Sequence, residues 1–397
     1  MAETNLADTN LDDALWLVSD AAAPWLERAA AERAARTPLV QTLQRFRKEL
    51  SAARAALVVA QAELRERGRE KFPHAEKMFF TPVGLEQATD AELAAYKAGR
   101  FAAEEIVVDG CCGIGGDLLA LATRGPVIGI DRDPVTAIFA AANVPAATLY
   151  VAEIADSLPP ETSAWHIDPD RRADGRRTTQ VAHYSPDETT LEHLRLAHPA
   201  AAFKLAPAAE VSAAWTDAGE REWISTRGEC RQQMLWFERL ARRPGERRAT
   251  ILTRGEPRII AGNPQPLPPT IPPGNFLFEP DAAVLAADLL GVLAAECDLA
   301  PIAAAGIFLT GDQPLADSAL ATFRIAEIFP FDRKQLRAAL RERNIGRLEI
   351  KKRGVQDTPE KIRRDLDLRG DNAAVLVVTP VGERVAAILA ERVTAVR

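Results

Sequence analysis

Histidine and cysteine are scarce, with 5 His and 4 Cys in 397 residues. No CxxC, no HExxH and no histidine cluster occurs, so the usual ligand sets of zinc and iron sites are missing and no metal is expected. Cys111 and Cys112 are neighbours that do not readily close a relaxed disulfide, which points to a reduced, cytoplasmic chain. No apolar run reaches the roughly 18 residues of a membrane span. The acidic start MAETNLADTNLDD lacks the basic-then-apolar order of a secretory leader. Aromatic residues make up only 6%, and an excess of positive charge is absent: 49 Lys and Arg stand against 56 Asp and Glu, a net −7. The molecule as a whole does not attract polyanions, so any basic surface must be local.

What is present is an ordinary globular composition, 47% hydrophobic and 26% charged, in a chain long enough for two to four domains. Residues 1–100 read as successive helices and predict a helical domain. In the stretch 37–68, Leu39, Leu43, Phe46 and Leu50 recur at three- and four-residue steps, which predicts one long helix with Thr37 as cap and Pro38 in its first turn. From residue 101 to 262 short apolar strands alternate with helices, the pattern of an α/β, doubly wound, Rossmann-like core. Within it, Ser185 and Pro186 are expected to open a helix, and the segments REWISTRG, ECRQQMLWFER and RATILTR to close the sheet as antiparallel strands. Six prolines between 264 and 273 mark a connection, residues 263–320, that ends in one helix, EPDAAVLAADLLGVLAAEC. Residues 321–397 form a small α+β module, with ERVAAILAERV expected as its last helix.

The chemistry concentrates in VVDGCCGIGGD, residues 107–117. A strand ending in Asp109, followed by Cys111, Gly113 and Gly115 and then a helix, lets a ligand approach the backbone at the carboxyl end of a sheet. Twenty-two residues on, the strand VIGI ends in Asp131, placed to accept hydrogen bonds from the two hydroxyls of a ribose. GxGxxG is absent, and a carboxylate at Asp109 would repel a pyrophosphate, so of dinucleotides and S-adenosylmethionine the residues favour the cationic, phosphate-free ligand. A fourth strand ends in HIDPDRR. Arg171, Arg172, Arg176 and Arg177 form a basic loop behind Asp168 and Pro169, suited to a phosphate. Methylation at a pyrimidine carbon would want a cysteine nucleophile; Cys230 is the candidate away from the cofactor loop, and it reads better as a core residue.

DGCCGIGGD followed by GIDRDP resembles the class I S-adenosylmethionine-dependent methyltransferases, and the loop is similar to that of the trimethylguanosine synthases. Asn143 matches the family's asparagine after the second strand. The resemblance implies that Asp109, Cys111, Gly113 and Gly115 surround the methionine part of S-adenosylmethionine, Asp131 its ribose, and Glu153 or Asp156 its adenine, with Glu153 preferred by register. Asp168 and Pro169 stand where relatives acting on base amines carry DPP or NPP and an aromatic residue. Here Asp170 and Arg171 replace the second proline and the ring. Asp168, Pro169 and Arg171 are the expected catalytic residues; Phe79, Phe80, Thr81 and Gln87 form a lid, or the two phenylalanines dock the helical domain.

Between Phe331 and Gly370, 13 Lys or Arg stand against 7 Asp or Glu. LEIKKRGV followed by TPEKIRRDL resembles the THUMP-like domain of certain bacterial methyltransferases. That resemblance implies RNA as partner and Lys351, Lys352 and Arg353, with Arg172, as phosphate contacts. Methylation of RNA is the leading expectation. A protein or small-molecule acceptor, or a non-catalytic RNA-binding protein of this fold, are the alternatives.

Overall fold

The computed structural model describes residues 9–155, 158–173 and 176–393, and for 172, 173, 176 and 177 the backbone alone. Asp156, Asp174 and Gly175 and the side chains of Arg172, Arg176 and Arg177 therefore lie outside the described part. The chain forms two compact units. The first comprises residues 1–219 and 234–244, the second 220–233 and 245–397.

The first unit opens with helices α1 (Leu11–Leu17), α2 (Ala23–Ala34), α3 (Leu39–Phe46), α4 (Ala52–Gly68), α5 (Pro82–Gln87) and α6 (Ala91–Ala98). The long helix expected from residue 37 is two. Pro38 rather than Thr37 occupies the cap position of α3, and Ser51 starts α4 afresh by accepting from the Arg54 N–H at 3.2 Å. A strong local cap thus interrupts an apolar periodicity that would otherwise run through. Asp90 caps α6 as its position predicts, accepting from Leu93 N at 3.0 Å.

The α/β core follows: β1 (Val107–Gly110), α7 (Gly116–Ala122), β2 (Val127–Asp131), α8 (Pro134–Asn143), β3 (Thr148–Val151), β4 (Ala164–Ile167), the two-residue strands β5 (Arg172–Ala173) and β6 (Arg176–Arg177), α9 (Glu188–Ala197), β7 (Ala201–Leu205) and α10 (Ala213–Ala218). Strands β3, β2, β1, β4 and β7 pair in that order, all parallel. The chain winds outward from β1 to β3 and then returns to β4 on the other side of β1. This creates the switch point at whose carboxyl end such sheets bind ligands. Helix α9 is capped by Asp187, not Ser185; the Ser185 backbone instead pairs with Asp170.

Alternation along the central strands divides their two faces. Val108, Trp165, Ile167 and Phe203 face a buried apolar cluster, where Phe203 meets the rings of Trp165 and Trp215 at 5.2 and 5.0 Å. Register places Asp109 beside His166 and aligns Ile167 with Phe203. Asp109, His166 and Lys204 therefore share the opposite face.

The second unit contains β8 (Gly219–Thr226), the first half of β9 (Glu229–Phe237), β10 (Arg247–Leu252), β11 (Arg258–Gly262), β12 (Phe276–Pro280), α11 (Ala282–Ala286), α12 (Leu290–Glu296), β13 (Ala300–Pro301), β14 (Leu309–Gly311), β15 (Leu320–Pro330), α13 (Arg333–Glu342), β16 (Ile345–Lys352), α14 (Pro359–Leu366), β17 (Asn372–Val381) and β18 (Arg384–Arg392). Two expectations change here. Strand β10 runs parallel to β8, and only β11 is antiparallel to it. The helix expected over 279–297 breaks at Asp288, whose φ is +57°.

The last expected helix is strand β18, paired antiparallel with both β15 and β17. The apolar run VAAIL fits a fully buried strand as well as a helix, and Gly382 at φ +59° supplies the tight turn from β17. Helices α13 and α14 cover one face of this sheet through Leu336, Leu340, Ile362 and Leu366.

Candidate active site

A cleft of about 1200 Å³ opens at the carboxyl ends of β1, β2 and β4. Asp109, Cys111, Gly113, Asp131, Glu153, Asp168, Pro169 and Arg171 all line it. Gly115 does not. It caps α7 in the left-handed region at φ +91°, and a Cβ there would lie 3.1 Å from Val144.

The loop after β1 is held from two directions. Asp131 accepts from Gly113 N and Asp133 N, each at 2.9 Å, so the ribose candidate also shapes the loop. Burial pushes the Asp131 carboxyl up against these two bonds. Asn143 donates from Nδ2 to the Ile114 carbonyl at 2.8 Å and the Phe79 carbonyl at 2.9 Å, and its Oδ1 accepts from Phe79 N at 2.7 Å. It thereby joins α8, the cofactor loop and the segment before α5.

The expected lid divides. Phe80 is fully buried and its backbone is bracketed by Gln61. Phe79 packs 6.0 Å from Phe139, so both rings are core. Thr81, which caps α5, and Gln87 do line the cleft.

Behind the cleft floor lies a chain of buried charges that sequence reasoning missed. His166 Nδ1 is 2.7 Å from Asp109 Oδ1, and His166 Nε2 is 3.3 Å from Lys97 Nζ. Donation from Nδ1–H to Asp109, with Nε2 accepting from the ammonium, satisfies both ring nitrogens. Lys97 Nζ lies 2.6 Å from Asp117 Oδ1. Thr89 donates to Asp117 Oδ2 at 2.7 Å and accepts from Lys204 Nζ at 2.9 Å. Lys204 reaches Asp168 Oδ2 at 2.5 Å.

The chain thus connects Asp109, in β1, to Asp168, just after the neighbouring strand β4. Burial pushes Asp109 up and Lys97 down from their ordinary values, against opposite charges nearby. It also opposes the charged form of Asp117, but the Lys97 and Lys204 ammonium groups outweigh it and hold that carboxyl well below the carboxylate range. Asp109 Oδ2 is buried with no hydrogen-bond partner. An orphaned carboxylate oxygen in the wall of a cleft is a place for a cationic ligand group.

The other expected residues sit in varied local settings. The turn Asp168–Arg171 is pinned by paired backbone bonds between Asp170 and Ser185, each 2.9 Å. Glu153 is exposed, with Arg132 at 4.0 Å. The Cys111 and Cys112 thiols are raised by burial first and neighbouring carboxylates second, which disfavours the thiolate form of both. Cys230, half-buried against an apolar cluster, is pushed up to about 12 by burial and is a packing residue. In the second unit, Lys351 is engaged by Glu279 at 2.6 Å and Glu349 at 3.3 Å. Lys352 donates to the Val355 carbonyl at 3.1 Å. Arg353 is exposed and its side chain makes no hydrogen bond or ion pair among the described residues.

Residues 320–392 match the family described as THUMP domain-like. An uncharacterized S-adenosylmethionine-dependent methyltransferase of Mycobacterium tuberculosis, from strains CDC 1551 and H37Rv, is 36% identical over 314 residues, covering 76% of this chain and 85% of that one. A crystal structure from Porphyromonas gingivalis W83, solved as a candidate methyltransferase, superposes with a TM-score of 0.74. It covers 93% of this chain and 99% of its own at 20% identity, a likeness of fold.

Proposed function

Because the chain belongs to the S-adenosylmethionine-dependent methyltransferases, we propose that its methyl acceptor is RNA and that the cleft described above is where transfer occurs. S-adenosylmethionine supplies a methyl group on a positively charged sulfur. The protein's part is to hold donor and acceptor in line and to arrange charge around them. The free Oδ2 of Asp109 fits the methionine ammonium, and the Gly113 backbone the rest of that end. Asp131 takes the ribose hydroxyls with the lone pairs its two loop bonds leave, and Glu153 lies toward the adenine. Asp168 orients the acceptor atom, Pro169 fixes the turn, and Arg171 and Arg172, next to it in sequence, meet a phosphate.

The observation that carries the RNA reading is the THUMP-like match over 320–392, joined to the excess of 13 basic over 7 acidic residues between Phe331 and Gly370. Arg353 is the phosphate contact this reading favours, with the ion-paired Lys351 and the carbonyl-bound Lys352 supporting it. The test is binding of total cellular RNA as a function of salt. Arg353→Glu is expected to weaken binding and to lower the slope of log affinity against log salt by about 0.7 to 0.9. An unchanged slope removes this surface from the reading.

One observation favours a second reading, a protein or small-molecule acceptor. No aromatic side chain lines the cleft among the described residues, so no ring is there to stack an extruded base. Transfer of labelled methyl groups to protein and not to RNA would decide for it.

A further inference from the structure

Lys204 is a buried ammonium in the middle of an otherwise apolar strand, its side chain only 9% exposed. It is fastened to Thr89 Oγ1 at 2.9 Å and to Asp168 Oδ2 at 2.5 Å. Burial works against its charged form, but the Asp168 and Asp117 carboxylates more than offset this and hold it above the usual lysine value. A lysine so placed is costly unless its partners need it. Asp168 keeps 26% exposure, lines the cleft, and makes no side-chain bond through Oδ1 among the described residues.

We propose that Lys204 is the positioning residue of the methyl-acceptor site: by occupying Oδ2 it fixes the Asp168 carboxylate with Oδ1 alone presented to the acceptor. The inference rests on the reading that Asp168 meets the acceptor atom. It also narrows the substrate class. An ionised carboxylate accepts hydrogen bonds and donates none, so the atom it orients must be a nitrogen or oxygen that still carries a hydrogen. In the transfer, the lone pair of that atom forms the bond to the methyl carbon. The carbon–sulfur bond breaks with its electron pair left on sulfur, giving S-adenosylhomocysteine, and the proton shed by the acceptor passes to water in the cleft.

A purely structural lysine would disturb cofactor and acceptor binding alike. A positioning lysine disturbs only the acceptor, because Asp109 lies at the far end of the buried chain and is held there by His166. The experiment uses the full chain and its Lys204→Met and Lys204→Arg variants. Methyl transfer is measured from tritium-labelled S-adenosylmethionine to the RNA, protein and small-molecule fractions of cells lacking the protein, and cofactor affinity is measured by calorimetry.

Lys204→Met is expected to lower kcat about 10²-fold with cofactor affinity changed by no more than about twofold. Lys204→Arg, which keeps the charge, restores part of kcat, and the label is recovered on nitrogen or oxygen. An unchanged kcat, a parallel loss of cofactor binding, or label on carbon overturns the proposal. Label in protein or small molecules but not RNA overturns the RNA reading and leaves the Lys204 test running on that acceptor. Label in no fraction overturns both.

Discussion

The ammonium of Lys97 lies 2.6 Å from Asp117 Oδ1 in the interior of the first unit, with the two side chains 2% and 10% exposed. Removing one partner leaves the other charged and unsatisfied away from water. Lys97→Met is therefore expected to cost about 3–5 kcal/mol. The double variant Lys97→Met/Asp117→Leu should cost less than the two single changes combined, since it removes both charges. Urea unfolding of the four proteins measures this; simple additivity would show that the pair is not coupled.

Asp117 also makes a prediction about acid. Its carboxyl is lowered on folding, so its contribution to stability is fully present above the unfolded value of 3.8 and is lost as pH falls below it. Thermal unfolding between about pH 5 and pH 2 should show the wild type losing stability in the acid limb. Asp117→Asn should be less stable at neutral pH and flatter below about pH 4. An equally steep acid limb in the variant would assign it to other groups.

Asn143→Asp is a sharper test of the loop than Asn143→Ala. The shape is kept, but the two bonds donated to the Phe79 and Ile114 carbonyls are lost and carbonyl oxygens then face a carboxylate. We expect about 1–3 kcal/mol of lost stability together with weaker cofactor binding, read by thermal melting and calorimetry. A variant that melts like the wild type would show that the loop is held elsewhere.

Two glycines of the cofactor strand and loop should respond very differently to alanine. At Gly113 a Cβ meets nothing within 4 Å, so Gly113→Ala carries only the strain of φ +56°, about 1–2 kcal/mol. At Gly110 it would fall 2.0 Å from Ile154 Cδ1, a buried side-chain tip that must turn aside and repack within the apolar cluster. Gly110→Ala should therefore be the more damaging in both melting and expression yield; the reverse order would contradict the packing.

Much of this was legible in the sequence. The parallel core could be read from strands that end in Asp109 and Asp131 with helices behind them, and the cleft from the glycine loop and Asp168. What was missed has physical reasons. VAAIL in β18 is apolar throughout, so its period is silent and the turn at Gly382 decides. Ser51 and Asp288 break helices by local backbone geometry that propensity averages over. The buried network was hidden because its members come from separate helices, strands and loops and meet only through tertiary packing. Lys204 was the available signal: a single charge inside AAFKL has to find a partner.

The most direct test of the cofactor site is calorimetric titration of the purified chain with S-adenosylmethionine and S-adenosylhomocysteine, repeated with Asp131→Ala. The account predicts saturable binding of both by the wild type and an affinity at least about tenfold weaker in the variant, ~1.4 kcal/mol, since both the ribose contact and the Gly113 anchor are lost. Affinity unchanged to within about twofold would contradict the placement of the cofactor at the end of β2.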